Sequence, residues 1–558
     1  MRRVAVVLVA IVALVVLAST AAQQEQVPAG KATYDKWCAG CHGVDGKGQG
    51  PAAGTMLPRP RDFTTALYQI RSTPSGALPT DEDLLAIVDH GMPGTAMPGW
   101  SEQLSQGERS DLVTYLKSLS PAFEREPAEP VDLGDEPGAS EEGLAEGRQF
   151  FEKIECWKCH GLVGRGDGQS APTLEDDQEH PIRAADLTES WNFNGGGTTE
   201  DIMRRLMTGL NGTPMPANAD LIDAEFMTRE QLWRVAQYVR SLSPEEPPVV
   251  REVVRAARID GELPTATDDP AWQEIERYYI PLVGQIVIKP RWFAPTVDGV
   301  WVQALHNERE IAVRLAWHDP SRSPDPRWDE WTAKVRSTME PELGEPPASP
   351  EESAAGESAA LVEAADATDA EVAADTSAAP AAPVAPAGTL PDVVAVQFPT
   401  TIPDGMERPY FMMGSDRDPV YLWRWRSDRD AGEEAVARGF ASIEPLATGE
   451  STLAVADTFD QGEWRVVLRR ALNPGGIEDR LQFESGRPIP LALFAWDGSN
   501  GESGTEGAIS TWYFLYLDRP TSPKVYVAPL VATLLAAALG VVVVTRAQRR
   551  ARGGGRRS

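Results

Sequence analysis

Cysteine is scarce in this chain. Four occur in 558 residues, all within two short strings, Cys38-Ala39-Gly40-Cys41-His42 and Cys156-Trp157-Lys158-Cys159-His160. No thiol is left for a structural disulfide, a zinc site or a thiolate-bound copper centre. Histidine is nearly as rare, with six residues and none after His318. The long apolar run Val525 to Val544 therefore has no histidine with which to ligate a cofactor inside a membrane. Beyond residue 388 the only lysine is Lys524. Positive charge is short throughout, 52 Lys and Arg against 83 Asp and Glu for a formal charge of −31. Setting aside the six arginines of the C-terminal tail together with Arg2 and Arg3 deepens this to −39. Such a surface repels nucleic acid and suits basic partners, or serves solubility in salt.

What the chain does have is placed with economy. Two thiols three positions apart, followed at once by histidine, can form two thioethers to one haem and set the imidazole beneath its iron. The two strings begin matching stretches. Gly43, Gly46, Gly48 and Gly50 after the first correspond to Gly161, Gly164, Gly166 and Gly168 after the second. Each stretch closes on an amphipathic helical pattern ending in Ser-Leu-Ser-Pro, at Ser118–Pro121 and Ser241–Pro244. Residues 27–121 and 140–244 thus read as two copies of one module.

An iron that shuttles electrons needs a second axial group. A methionine is most often core filler, but two stand apart. Met97 in Gly94-Thr95-Ala96-Met97-Pro98 and Met215 in Gly212-Thr213-Pro214-Met215-Pro216 each follow their histidine by 55 residues. The expected iron ligands are therefore His42 with Met97 and His160 with Met215.

The ends speak to location. Residues 1–22 combine Met1-Arg2-Arg3, an apolar stretch and small residues around Ala22, the pattern of a secretory signal. Residues 525–544 are long enough to span a bilayer. The arginine-rich tail, 545–558, belongs on the cytoplasmic side, which puts the body outside the cytoplasm. At 558 residues the chain exceeds what one core supports.

From about residue 250 the pattern turns to strands. Val300–Leu305 and Ile311–Trp317 read as a hairpin, and Val393–Phe398, Tyr421–Trp425, Trp464–Leu468, Leu491–Trp496 and Ser510–Leu517 follow. A β-sandwich over 250–338 and 389–520 is the natural packing. Between its parts, residues 339–388 are rich in Ala, Glu, Pro and Ser with almost no aromatics, and predict a disordered insertion within one sandwich. The fold class expected is multidomain, with two all-α domains, one all-β sandwich and one C-terminal transmembrane helix.

With these residues in hand, two resemblances can be stated. Residues 27–121 and 140–244 resemble class I cytochrome c domains, which implies a helical fold around each haem. The strings Asp392–Pro399, Pro409–Gly414, Val420–Trp425, Phe494–Gly498 and Ser510–Tyr513 resemble the haem-binding γ subunit of ethylbenzene dehydrogenase and its relatives, which include the γ subunits of dimethylsulfide dehydrogenase, selenate reductase and chlorate reductase. That resemblance implies a non-covalent haem b held by a methionine and a lysine. The methionine maps to Met413, with Met412 second, on the reasoning that adjacent strand residues face opposite sides. The lysine is missing from Gly504–Ile509, where the family pattern places it, and Lys524 is better read as an interfacial anchor.

The functional expectation is a membrane-anchored, extracytoplasmic dihaem electron-transfer subunit with no catalysis of its own. Its expected partners are a molybdopterin catalytic subunit, an iron–sulfur subunit and a respiratory electron carrier. The alternative is a free-standing tethered dihaem carrier whose sandwich docks another protein without binding haem. A peroxidase would need an open iron position, which Met97 and Met215 would close.

Overall fold

The computed structural model describes residues 28–344, 390–405, 407–446, 452–475, 480–519 and 524–554. The expected signal segment and most of the 339–388 tract lie outside them.

Residues 28–252 hold helices and turns, with no strand longer than an isolated bridge among them. The first module contains helices Lys31–Trp37, Ala39–His42, Asp81–His90 and Gln106–Ser118. The second contains Glu141–Lys153, Trp157–His160, Thr199–Thr208, Ala219–Asp223 and Arg229–Ser241. The repeat extends to how the helices start. Thr80 and Asp83 form a reciprocal capping box, and so do Thr198 and Asp201, 118 positions later. The last helices are capped the same way, by Ser105 with Glu108 and Thr228 with Gln231. Each box satisfies two backbone donors that a helix start would otherwise strand.

First and last helices of each module meet through an aromatic pair. Tyr34 packs on Tyr115 with ring centroids 5.0 Å apart, and Phe151 on Tyr238 at 5.5 Å. The shared glycines and the Ser-Leu-Ser-Pro ends prove to be partners in space. A Cβ at Gly46 would come within 2.7 Å of Leu119, and one at Gly164 within 2.8 Å of Leu242, and both glycines have positive φ. The terminal leucine of each module therefore closes onto a spot where a side chain has no room.

From residue 253 the chain builds a sheet of fourteen strands: β1 Val253–Arg258, β2 Tyr278–Pro281, β3 Val283–Gly284, β4 Gly299–His306, β5 Glu310–His318, β6 Val393–Pro399, β7 Val420–Arg426, β8 Glu433–Ala437, β9 Ile443–Pro445, β10 Ala454–Asp460, β11 Glu463–Ala471, β12 Pro488–Trp496, β13 Ala508–Ile509 and β14 Tyr513–Leu517. The order is β10-β11-β5-β4-β1-β14-β12-β6-β7-β8-β9. The expected hairpin is β4 and β5, in register from Trp301 opposite Ala316 to His306 opposite Ile311.

A β-sandwich was the expectation; the strands form one mixed sheet. Strand β1 enters between β4 and β14 and runs parallel to both. Strand β12 belongs to both halves, pairing β14 through Pro488–Leu491 and β6 through Ala492–Trp496. The sheet folds on itself, so strands far apart in its order touch. Trp425 of β7 meets Trp317 of β5 at 5.6 Å and Trp464 of β11 at 4.6 Å, edge to face. These aromatics anchor the main core. Strands β6, β7 and β12 are buried on both faces because a second cluster, containing Met412, Met413, Phe494 and Trp512, covers their outer side.

Strands before and after residues 345–389 share this sheet, so that stretch interrupts one domain rather than linking two. The helix Asp329–Gly344 precedes it and carries the first residues of the compositionally biased tract. The C-terminal helix Lys524–Gly554 is long and apolar enough over Val527–Arg550 to cross a membrane, and none of that span is buried by the rest of the chain.

Candidate functional site

Each Cys-x-x-Cys-His string is a single tight turn, and the two turns superimpose bond for bond. His42 N–H donates to Cys38 O at 2.9 Å and Gly48 N–H to His42 O at 2.8 Å; His160 N–H donates to Cys156 O at 3.0 Å and Gly166 N–H to His160 O at 2.9 Å. All four thiols are free. The first cysteine of each string packs against its module's core. Burial pushes the Cys38 thiol up to about 11 and Cys156 to about 12.

The histidines are oriented alike. His42 Nδ1 lies 3.0 Å from Arg61 O, and His160 Nδ1 lies 3.0 Å from Ala185 O. A carbonyl only accepts, so Nδ1 carries the proton and Nε2 keeps its lone pair for a metal. Desolvation lowers the pKa of both imidazoles, which favours that neutral form. The carbonyls themselves are positioned by a motif that sequence reasoning missed. Asp62 Oδ1 accepts from Thr64 N–H at 2.8 Å, and Asp186 Oδ1 accepts from Thr188 N–H at 2.7 Å. The signal was present as Asp62-Phe63-Thr64 and Asp186-Leu187-Thr188, an Asp-apolar-Thr turn in both modules. Phe63 also stacks on the His42 ring, centroids 4.5 Å apart.

The methionine loops match as closely. Met92 N–H donates to Met97 O at 3.0 Å, and Leu210 N–H to Met215 O at 3.1 Å. The Thr95 hydroxyl donates to Met92 O and accepts from Met97 N–H at 3.2 Å; Thr213 does the same for Leu210 and Met215, again at 3.2 Å. The threonine of the shared Gly-Thr-x-Met-Pro string thus fixes the methionine's backbone. Free cysteines, oriented imidazoles and matched methionine loops form a donor set that fits covalent haem with His/Met ligation.

Both methionine loops face the neighbouring module. Gly94 is close enough to Asn192 O that a Cβ would lie 3.2 Å away, and Asn211 Oδ1 accepts from the Ser75 hydroxyl at 3.2 Å and Gly76 N–H at 3.4 Å. Fully buried Arg71 ties the modules by donating to Thr208 O at 2.7 Å, and Arg205 returns a bond to Arg71 O at 2.6 Å.

The turn behind His160 faces the sheet domain. Asp186 Oδ2 is 3.5 Å from His318 Nδ1, Arg165 pairs with Glu463 at 2.8 Å, and Arg183 donates to Pro295 O and to the Thr296 hydroxyl. Asn192 bridges Glu189 and Asp298 across the same contact, at 2.8 and 3.4 Å. Burial and the neighbouring carboxylates push Glu189 up to about 9.

Met412 and Met413 lie in a turn, not a strand. Met413 has φ of 61°, and both side chains are fully buried in the same cluster, so the alternation argument that separated them does not apply here. Among the described residues no lysine is buried, and the one buried histidine, His306, is bonded to Asp518 O and Asn307 O. Ile288 packs against the methionine cluster, yet the adjoining Lys289 is exposed. These residues do not complete a Met/Lys pair for haem b.

Comparisons with known proteins fit this division of the chain. The family model described as cytochrome c oxidase, cbb3-type, subunit III matches residues 25–116, that described as cytochrome c matches 144–243, and that described as ethylbenzene dehydrogenase matches 269–449. The first two matches fall on the two repeated modules and the third on the sheet domain. The chain is 32% identical over 155 residues to a putative respiratory nitrate reductase heme subunit of Haloferax mediterranei, covering 28% of this chain and 53% of that protein. It is 31% identical over 125 residues to the chlorate reductase subunit gamma of Ideonella dechloratans, covering 22% and 49%. It spans about half the length of these curated relatives. Among solved structures, a chain of the Kuenenia stuttgartiensis reducing HAO-like protein complex is 44% identical, with 39% of this chain and 98% of that chain covered at a TM-score of 0.37.

Proposed function

We propose that the protein is the electron-transfer subunit of an extracytoplasmic molybdenum oxidoreductase, anchored by its C-terminal helix with the tail in the cytoplasm. In this reading each Cys-x-x-Cys-His turn holds one covalent haem c through Cys38 and Cys41 or Cys156 and Cys159. His42 with Met97 and His160 with Met215 would supply the iron ligands. When bound, the haems supply two one-electron centres; the chain itself catalyses nothing.

The observation that carries this reading is the bond-for-bond identity of the two histidine turns and the two methionine loops. Random core methionines would not share a threonine clamp and a 55-residue spacing from an oriented imidazole. The protein's own contribution is to hold each imidazole proton at Nδ1 against a backbone carbonyl, so that Nε2 stays basic. It also sets the two methionine loops against opposite modules, which brings the two redox sites to a common interface. The His160 turn sits on the sheet domain, so a haem held there would be the nearer redox centre to a partner docked on that domain.

The sheet domain is the docking platform, by likeness to the γ and heme subunits of reductases. A molybdopterin subunit and an iron–sulfur subunit are the expected partners, with a respiratory carrier at the other end. Gentle detergent solubilisation, affinity purification and elemental analysis test this. Recovery of molybdenum and of an iron–sulfur subunit with the chain is the expected result. Recovery of the chain alone, with no molybdenum, returns it to the status of a free-standing tethered carrier.

A further inference from the structure

We propose that Asp319, Asp392 and Asp497 form a binding site for a divalent cation of the calcium class, which staples the two halves of the sheet. Asp319 directly follows β5, Asp392 directly precedes β6 and Asp497 directly follows β12, so the site joins three strand ends drawn from distant parts of the chain. One carboxylate oxygen from each lies within 4.8 Å of the others, and the three side chains are 0%, 0% and 3% exposed.

The carboxylate oxygens of Asp392 and Asp497 serve only as acceptors. Asp392 accepts from Ser323 N–H at 2.8 Å, Trp464 Nε1–H at 3.0 Å and Gly498 N–H at 3.0 Å. Asp497 accepts from Ser499 N–H at 2.8 Å, Asn500 N–H at 3.2 Å and the Ser323 hydroxyl at 3.3 Å. A fourth buried carboxylate, Glu502, accepts from Trp292 Nε1–H, Thr296 N–H, Asn500 Nδ2–H and Asp497 N–H. No ion pair among the described residues reaches this group. Arg183 acts on these carboxylates through space, while its hydrogen bonds go to Pro295 O and the Thr296 hydroxyl.

Acceptors without donors point to a ligand. Asp319 Oδ2 is buried with no partner, and so are the Ser321 hydroxyl and Asn500 Oδ1, on residues 2% and 1% exposed. Ser321 N–H is bonded to Asp319 Oδ1 and Asn500 N–H to Asp497 Oδ1, so the backbones that carry both spare oxygens touch the carboxylates. Several buried carboxylates with no ion-pair partner carry a heavy desolvation cost. A hard divalent cation removes that cost, and an all-oxygen donor set with carboxylate, amide and hydroxyl oxygens suits calcium.

The test uses the full-length, detergent-solubilised protein and Asp319→Asn. After stripping with EGTA, CaCl2 is titrated by calorimetry, with MgCl2 in parallel, and thermal midpoints are recorded with and without each metal. The expected result is one Ca2+ per chain, a rise in the midpoint with Ca2+, and binding weakened by about 100-fold or more in Asp319→Asn. If instead the site merely traps protons, the wild type binds no Ca2+ and Asp319→Asn is as stable as wild type or more so, since the amide replaces an already neutral carboxyl without needing the proton. Preference for Mg2+ would overturn the calcium assignment. Failure of the variant to fold leaves the wild-type titration to decide, and its absence of binding would refute the proposal.

Discussion

Replacing Glu189 with Gln should stabilise the protein, and should do so only as the pH rises. Glu189 is 9% exposed and faces Asp298 across the contact between the second cytochrome module and the sheet domain, with Asn192 bonded to both. Its pKa is raised from 4.5 to about 9, chiefly by burial and then by Asp298 and Asp186. A carboxyl raised in the folded state binds its proton there while the unfolded chain has already released it. Between about pH 4.5 and 9 stability therefore falls as pH increases, and the loss is complete above that window. From 4.5 to neutral pH the gap corresponds to at most about 3 kcal/mol at 1.36 kcal/mol per unit. Because the proton is shared with Asp298, about half of that is a fairer expectation for one residue. Glutamine can still accept from Asn192 and adds a permanent N–H donor toward Asp298. Urea unfolding followed by circular dichroism at pH 5 and pH 8.5 measures the effect. The variant should match wild type at pH 5 and exceed it by about 2 kcal/mol at pH 8.5. Equal pH slopes in the two proteins, or a less stable variant at pH 8.5, would refute the reasoning.

Met97→Ala and Met215→Ala should each remove about half of the sulfur-to-iron charge-transfer absorbance while leaving covalent haem content intact; full retention of the band in either variant would disprove that methionine's role. Gly46→Ala and Gly164→Ala should each cost about 2 kcal/mol or more, because the new Cβ meets Leu119 or Leu242 at under 3 Å and sits at positive φ. Thermal unfolding of the variants reads this directly. Ending the chain at Asp518 should release it from membranes during fractionation without lowering haem content.

Much of this arrangement is written in local sequence. The 118-residue offset between matching histidines, between the caps Thr80 and Thr198 and between methionines is a repeat of chemistry as well as of fold, and the strands from Val300 to Leu517 announce themselves through Val, Trp and Tyr. Contacts between segments remote in sequence are not written there. Nothing around Val253 signals a strand that runs parallel to both neighbours in mid-sheet, because parallel pairing depends on partners 48 and 261 residues away. Arg71 looks like one more surface arginine until Thr208 O appears beside it. Asp319, Asp392 and Asp497 each end or begin a strand, an ordinary place for an aspartate, and only the folded sheet gathers them. The Phe411-Met412-Met413-Gly414 string reads as a strand by composition, but Gly414 N–H returns to Tyr410 O and makes it a turn.

A pyridine haemochrome spectrum of the purified chain, set against its protein concentration, tests the central claim most directly. Two covalent haems c per chain are predicted, falling to one in Cys156→Ser/Cys159→Ser. Any haem b would appear in the same spectrum as a third, extractable haem at a c to b ratio of two to one. Fewer than two covalent haems in the wild-type chain matured with haem available would contradict the account.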